Sequence, residues 1–336
     1  MSLIRKLFRT KYLLECLVLA SSCVLTISAA AAQDAYPTKP VTFLVPYAPG
    51  GTTDVLARIV AKAMSPVLGQ TIIVENAGGA GGTIGTRRIV RAAPDGYTLT
   101  VGNMGSLAAN VSLYPNLGFD PRQDLAPVGV IARVPMMLAA GKNSGVKDLQ
   151  GFVERLKTEG EKVSFGQAGA GSTGHLAAAR LVQLVGSKAT IVPYRGTGPA
   201  INDLLAGVVD GVIDQTVTMI PVHKGGRAIG LAVSGKSRLP QIPDVPTFAE
   251  GGLPAFDLVV WNAIAAPKDT PPAVIDKLVK ALDVALNDPE LKQRFNDLAA
   301  EAPPPEERGP GPLSRTIADE VERLSELIKA ADIKAE

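Results

Sequence analysis

Cysteine is nearly missing from this chain. Only Cys16 and Cys23 occur in 336 residues, and both lie within the first 32. The remainder therefore offers no disulfide, no thiol nucleophile and no cysteine-based metal site. Histidine is as scarce, with only His175 and His223, and no run of His, Asp and Glu has metal-ligand spacing. Neither a metal nor a cofactor is expected. Aromatic residues make up 4% of the chain, and the single tryptophan, Trp261, reads as a core residue. Excess charge is missing too. The formal charge of +2 traces to Arg5, Lys6, Arg9 and Lys11 near the start, set against Glu15. Residues 33–336 carry 30 basic and 31 acidic side chains, a net charge of −1. Such a body has no electrostatic footprint for nucleic acid. No segment after residue 32 is apolar for long enough to span a bilayer.

The four early cations precede an apolar stretch, "CLVLASSCVLTISAAAA", that closes on Ala30-Ala31-Ala32. A basic head, a short apolar body and small residues at the exit describe a secretory signal peptide over residues 1–32, cleaved near Ala32. The destination is the periplasm. A membrane anchor would need about 20 apolar residues, and a lipid anchor on Cys23 would need an aliphatic residue that "ASSC" does not supply.

The roughly 304 residues beyond it suit two domains of ordinary size. Short β-branched runs alternate with helical patterns. "VTFLVPY" leads to a helix around Asp54–Met64, "TIIVEN" to one near Thr83–Ala92, and "YTLTVGN" to a short helix from Ser106. A second series comes next: "DLQGFVERLK", "VSFGQ", "STGHLAAARLVQLVG", "TIVPYRG", "GPAINDLLAG" and "GVIDQT". The order predicts an α/β architecture whose strands lie in parallel sheets buried on both faces. "LAPVGVIARVPMMLAAG" (Leu125–Gly141) is long for one strand and contains prolines, so it reads as a broken segment passing between domains. "AIGLAVSG" reads as the returning segment. The expected organisation is a discontinuous first lobe (36–126 and 235–336) and a second lobe (127–234), joined by a two-segment hinge. Such lobes close around a ligand at the C-terminal ends of their strands. In the last helix Ile317, Val321, Leu324, Ile328 and Ala331 share one face, which should pack back onto the first lobe.

Four glycine-rich turns each come after a strand and open a helix: "PYAPGGTTD" (46–54), "VGNMGS" (101–106), "GAGSTGH" (169–175) and "YRGTGPA" (194–200). Glycine permits positive φ and close approach of a ligand, Ser or Thr caps the next helix, and the free N–H groups favour an anion there. Gly50 and Gly51 are both expected to adopt conformations that a side chain would disturb. Any one such turn can merely connect a strand to a helix; four in both lobes suggest a site. No Lys or Arg lies inside the first or third turn, and Arg195 is the only cation near a turn. Neutral amides and hydroxyls would then hold the anion.

"GAGSTG" also matches the dinucleotide fingerprint G-x-G-x-x-G, but the next strand ends "VPYRG" where that fingerprint requires an acidic residue. "AGSTG" approximates a nucleophile elbow around Ser172. That leaves a secreted serine hydrolase as the alternative function, although neither His175 nor His223 is given a third partner by the sequence.

"YPTKPVTFLVPYAPGGTTDVLARIVA", "IVENAGGAGGTIG", "PDGYTLTVGN", "VPYRGTGPAINDLLAG" and "DVPTFAEGGLP" together resemble the Bug family, the extracytoplasmic solute receptors of the tripartite tricarboxylate transporter type. The resemblance runs from Tyr36 to about Leu298, with the blocks in order. It implies a two-lobed periplasmic binding-protein fold of type II, without catalysis. It also implies a small carboxylate held by backbone amides and waters. The partners it implies are that ligand and the membrane subunits of such a transporter or a sensor, with the receptor itself a monomer. Carried onto this sequence, the ligand-binding residues are Tyr47, Ala48, Pro49, Gly50, Gly51, Thr52 and Asp54 in the first turn. Asn103 and Ser106 belong to the second, Gly171, Ser172, Thr173 and His175 to the third, and Thr197 and Gly198 to the fourth. Asp214, at the end of its strand, could take an amine or a hydroxyl. The proline-rich run "APPPEERGPGP" (302–312) departs from the family pattern.

Protein recovered from the periplasm is expected to begin at or near Gln33 and to contain no titratable thiol. Intact mass and thiol titration check this, and a retained N-terminus or an acylated Cys23 would contradict it.

Overall fold

The computed structural model describes residues 36–335; the expected signal peptide, with both cysteines, lies outside them. The chain divides into residues 1–38 and 39–336. Residues 36–38, the described part of the first unit, carry no helix or strand. Among the described residues every helix and strand lies in the second unit.

β-Branched and apolar runs become strands where the sequence places them: β1 (Val41–Val45), β2 (Ile72–Asn76) and β3 (Thr98–Asn103). Between them lie α1 (Thr52–Leu68) and α2 (Thr83–Val90). After β3 comes a single π-helical turn, Gly105–Ala109, continued by α3 (Asn110–Leu113) and α4 (Pro121–Asp124). β1 pairs in parallel with β2 and β3. β4 then runs unbroken from Leu125 to Gly141. Next come α5 (Leu149–Glu159), β5 (Ser164–Gln167), α6 (Thr173–Val185), β6 (Thr190–Pro193), α7 (Thr197–Ala206), β7 (Gly211–Gln215), α8 (Thr216–Lys224) and β8 (Ala228–Val233). The chain ends with β9 (Val259–Pro267), α9 (Pro272–Asn287), α10 (Pro289–Asp297) and α11 (Pro310–Ala330).

Among the described residues the nine strands form one sheet that divides around β4. Over Leu125–Pro135, β4 pairs with β9, giving the order β2–β1–β3–β9–β4. Over Met136–Gly141 it pairs instead with β7 and β8, giving β8–β4–β7–β5–β6. Two expectations are corrected here. The sheet is mixed, because β9 is antiparallel to β3 and β4, and β4 is antiparallel to β7 and β8. And Leu125–Gly141 is one strand, not a proline-broken segment. Proline lacks the N–H of a ladder and is tolerated at irregularities. Pro127 stands at a register shift against β9, and Pro135 stands at the change of partner.

α8 and α10 were not expected as helices. α8 contains "TVTMIPVHK", a β-branched run with an internal proline, which local propensity disfavours. Tertiary burial overrides that propensity: Thr216 to Ile220 and Val222 are all buried. The proline-rich segment is in part the beginning of α11, which starts at Pro310 with proline in its first turn, where the missing N–H is no loss. Upstream of it, Glu301 pairs with Arg133, Arg133 meets Glu307 at 2.8 Å, and Arg308 meets Asp283 at 2.7 Å.

The apolar face of α11 is buried at Leu313, Ile317, Val321, Leu324 and Ile328, while Ala331 lies just past the helix and is only half-buried. The helix packs on β4 and on the turn Gly105–Ala109 behind the second glycine-rich stretch. Trp261, on β9, is buried in the core as expected. Leu324→Ala leaves a cavity at a fully buried position, and is expected to cost about 2–5 kcal/mol in urea denaturation. A loss under about 1 kcal/mol would show that this face is not part of the core.

Candidate functional site

The C-terminal ends of β1, β3, β5, β6 and β7 converge on one small polar cavity. Its lining comes from both halves of the sheet: Tyr47, Gly51, Thr52, Thr53 and Asn103 from one, and Ala168, Ser172, Thr173, Thr197, Asp214 and Gln215 from the other. The cavity has about 10 Å³ of water-accessible space, room for about one water molecule. No Lys or Arg lines it.

Four helices begin at the lining residues. α1 starts at Thr52, α6 at Thr173, α7 at Thr197, and α8 directly after Gln215. The first N–H groups of a helix have no intrahelical partner and carry the positive end of the helix dipole. A Ser or Thr cap was expected at the first three of these. Only Ser172 serves, its Oγ accepting from His175 N at 3.3 Å. α1 and α7 are preceded by Gly51 and Gly196, with no side-chain cap. The donors there remain uncovered by side chains. Gly50 does take a positive φ of 84°, but Gly51 is extended (φ −83°, ψ 167°), so only Gly50 meets the expectation made for both.

A chain of buried hydrogen bonds supports the cavity from behind. Tyr47 Oη donates to Asn103 Oδ1 at 3.0 Å, and Asn103 Nδ2 donates to Thr53 Oγ1 at 3.1 Å. Thr53 Oγ1 donates to Asn262 Oδ1 at 3.4 Å, and Asn262 Nδ2 to Gln215 Oε1 at 2.7 Å. Asn262 is on β9, so the chain joins the two halves. With its oxygen committed, the protons that Gln215 can still offer are those of its amide nitrogen. Burial raises the Tyr47 hydroxyl well above its ordinary pKa, so it stays a neutral donor.

Asp214 is the one acidic group in the lining. Its carboxylate accepts from Thr218 Oγ1 at 2.6 Å and Thr52 Oγ1 at 3.3 Å, and also from the Thr197 side chain and the Gln215 N–H. It forms no ion pair among the described residues. Burial pushes it up to about 6 despite these donors.

Of the sequence-predicted residues, the structure brings Tyr47, Gly51, Thr52, Asn103, Ser172, Thr173, Thr197 and Asp214 together around the cavity. The others do not line it. Asp54 is buried and engaged away from the cavity: burial would raise it, but Arg58 at 2.9 Å, Gly50 N at 3.1 Å and Asn76 at 3.0 Å outweigh that and hold it below the ordinary carboxylate range. Ser106 holds Asn103, whose N–H donates to Ser106 Oγ at 3.1 Å. Ala48, Pro49, Gly50 and Gly198 form the outer rim of the turns, where Ala48 N donates to Arg195 O at 3.0 Å. Gly171 N donates to His175 Nδ1 at 3.0 Å. Arg195 is exposed and absent from the lining. Sequence reasoning missed Thr53, Ala168 and Gln215. Each is adjacent to a residue or turn that was singled out, and its place after a strand was the available signal.

The hydrolase alternative finds no support in this geometry. Ser172 Oγ donates to Gln167 Oε1 at 3.1 Å, and the lone pair of His175 Nδ1 is occupied by Gly171 N. Burial lowers His175 to about 4, leaving it neutral but not poised to take a proton from Ser172. His223 is engaged elsewhere, with Gly230 N and Asp244.

A cavity closed between the two halves of such a sheet, at the C-terminal strand ends, defines an α/β periplasmic binding protein: a receptor, not an enzyme. The particular family comes from direct comparison. The family model described as "Tripartite tricarboxylate transporter family receptor" matches residues 56–333, and the chain belongs to that family. It is similar to the periplasmic binding protein BugD, with 38% identity and a TM-score of 0.86 over 90% of this chain and 100% of that one. It is also similar to MatC from Rhodopseudomonas palustris, solved with bound malate, with 37% identity and a TM-score of 0.84 over 87% and 100% of the chains. A second R. palustris protein, solved with adipate, shares 32% identity with a TM-score of 0.84 over 89% and 99%.

Asp214 also makes stability depend on pH. Its carboxyl titrates near 6 in the folded protein, against an ordinary value of 3.8. Between pH 4 and 6 the folded state binds the proton more tightly, so stability falls as pH rises through that window and stays lower above it. Asp214→Asn removes this cost, on the order of 3 kcal/mol. The variant is expected to be more stable than wild type in urea denaturation at pH 7.5, with the gain fading towards pH 4. A variant less stable than wild type at pH 7.5 would contradict the burial argument.

Proposed function

We propose that this protein captures a small organic carboxylate in the cavity between two lobes, closes on it, and delivers it to a membrane partner. The observation that carries this reading is the convergence of four helix N-termini on a polar cavity with no cation in its lining. Unpaired N–H groups and the amide of Gln215 are donors suited to a carboxylate. Hydrogen bonds to a charged group contribute about 1.5–3 kcal/mol each. Three or four of them, less the cost of ordering the ligand, reach micromolar affinity, about −8 kcal/mol. The malate and adipate held by the similar R. palustris proteins are of this chemical class.

The lobes in this reading are 36–126 with 235–336, and 127–234. The change of partner along β4 supports a crossing there, close to Pro135. Closure is supported by size: the cavity holds about one water, so even a four-carbon acid enters only if the walls part. It is supported also by the bonds that span the two sides, Ala48 N to Arg195 O at 3.0 Å and Tyr114 Oη to Ala170 O at 2.8 Å. Free protein opens and ligand shifts that equilibrium. Ala48, Pro49, Gly50, Asp54, Ser106, Gly171, His175 and Gly198 serve the site from its rim or its support, and Thr53 and Gln215 join the lining set. In this reading a signal peptide over residues 1–32 directs the monomeric receptor to the periplasm. Its membrane partner is a transporter of the tripartite tricarboxylate type or a sensor.

Gly51→Val tests the site. The extended backbone of Gly51 accepts a side chain, but an added Cβ would stand 3.7 Å from Thr197 N on the opposite wall, and the valine methyl groups would fill the cavity. In a thermal-shift screen of small carboxylic acids, wild type is expected to be stabilised by at least one acid, by about 2.7 kcal/mol at a hundredfold excess over Kd. Gly51→Val should retain its unliganded melting temperature and lose that shift. A variant that binds as well as wild type would place the site elsewhere.

A further inference from the structure

The donors committed to Asp214 say more about the ligand than that it is a carboxylate. A carboxylate has about four lone-pair sites, and those of Asp214 are met by Thr218, Gln215 N–H, Thr197 and Thr52. A threonine hydroxyl has one proton. Once Thr52 and Thr197 have given theirs to Asp214, each can only accept from anything else. Both line the cavity. One wall of the site therefore presents oxygen lone pairs, while the helix N-termini and the Gln215 amide present protons.

Acceptors and donors lie side by side, because Thr52 and Thr197 are themselves the first residues of α1 and α7. Ligand atoms that reach the donors bring the next carbon against Thr52 and Thr197. A plain methylene there leaves two buried acceptors without partners, which costs about 1–3 kcal/mol for each such group.

We infer, resting on the carboxylate reading above, that Asp214 is a positioning residue that selects acids bearing a hydroxyl or ammonium group on the carbon next to the bound carboxylate. It acts through Thr52 and Thr197, by fixing their hydroxyls as acceptors. The buried, unpaired charge of Asp214 fits the same role. It is held at a cost in stability, as groups at binding sites often are, and an ammonium on the ligand would offset that charge.

Titration calorimetry on the wild-type protein with matched acids tests this without any variant. The trios are propionate, lactate and alanine; succinate, malate and aspartate; glutarate, 2-hydroxyglutarate and glutamate; and adipate, 2-hydroxyadipate and 2-aminoadipate. In at least one trio the hydroxy or amino acid is expected to bind at least about tenfold more tightly than the unsubstituted acid. Which of the two wins tells whether the donor is a hydroxyl or an ammonium. In Asp214→Asn, with folding verified by its melting temperature, the preference for an amino acid should fall below about threefold, because the amide protons free Thr52 and Thr197 to donate and an ammonium cannot accept. Thr52→Val should narrow the ratio between the affinities of the substituted and the unsubstituted acid, because one of the two acceptors is gone. Unsubstituted acids binding as tightly as their partners in every trio that binds would overturn the inference and leave the carboxylate reading standing. An amino-acid preference that survives in Asp214→Asn, or a hydroxy-acid preference undiminished in Thr52→Val, would overturn the assignment to Asp214 acting through the threonines. Failure of every acid to bind would overturn the carboxylate reading, and this inference with it.

Discussion

A polar side chain taken out of water must find a partner, and in this protein that requirement ties the two halves of the sheet together. Tyr47, Asn103, Thr53, Asn262 and Gln215 form one directed chain of hydrogen bonds from the turn after β1 through β3, α1 and β9 to β7. Each member is buried, and each bond determines which end of the next side chain remains free. The orientation of Gln215 at the cavity is thus tied to that of Asn103 on the other side, whose Oδ1 accepts from Tyr47 and from the N–H groups of Gly105 and Ser106. Low local dielectric strengthens such a chain and makes any break in it costly. The same geometry that stabilises the closed arrangement also sets what the cavity offers a ligand.

Close approach of backbone to backbone is the second requirement. Gly81, at φ 58°, lies so near Ala170 that a Cβ would fall 1.8 Å from its carbonyl oxygen. Only glycine combines that conformation with that distance. The glycine-rich stretches therefore have two roles that look alike in sequence. Some leave helix N–H groups uncovered at the cavity, as Gly51 and Gly196 do at α1 and α7. Others let the two sides meet.

A receptor and a hydrolase could share the stretch "GAGSTGH", and only hydrogen-bond direction separates them. Ser172 Oγ spends its proton on Gln167, and His175 accepts from Gly171. The two side chains that would have been nucleophile and base instead brace the turn that opens α6. Binding without turnover is the consequence: the site has donors and acceptors for holding a polar molecule, and no pair placed to move a proton to or from a reacting atom.

The sequence alone determined which segments are strands, where the glycine turns fall, and the family, because these depend on local residue order. β1, β2, β3, β5, β6, β7, β8 and β9 fall on runs visible in it, and eight cavity residues lie in or after turns it singles out. Tertiary structure decided the rest. The single strand β4 and its change of partner at Pro135 depend on residues 71 to 142 positions away, and α8 forms against its own local propensity because burial outweighs it. Asp54 and Asp214 look equivalent as acids near a glycine turn or a strand end. One pairs with Arg58 and Asn76 away from the cavity, and the other is enclosed by three threonines and a backbone amide. Partner choice of that kind is a contest among groups brought together only by folding, so no local pattern encodes it.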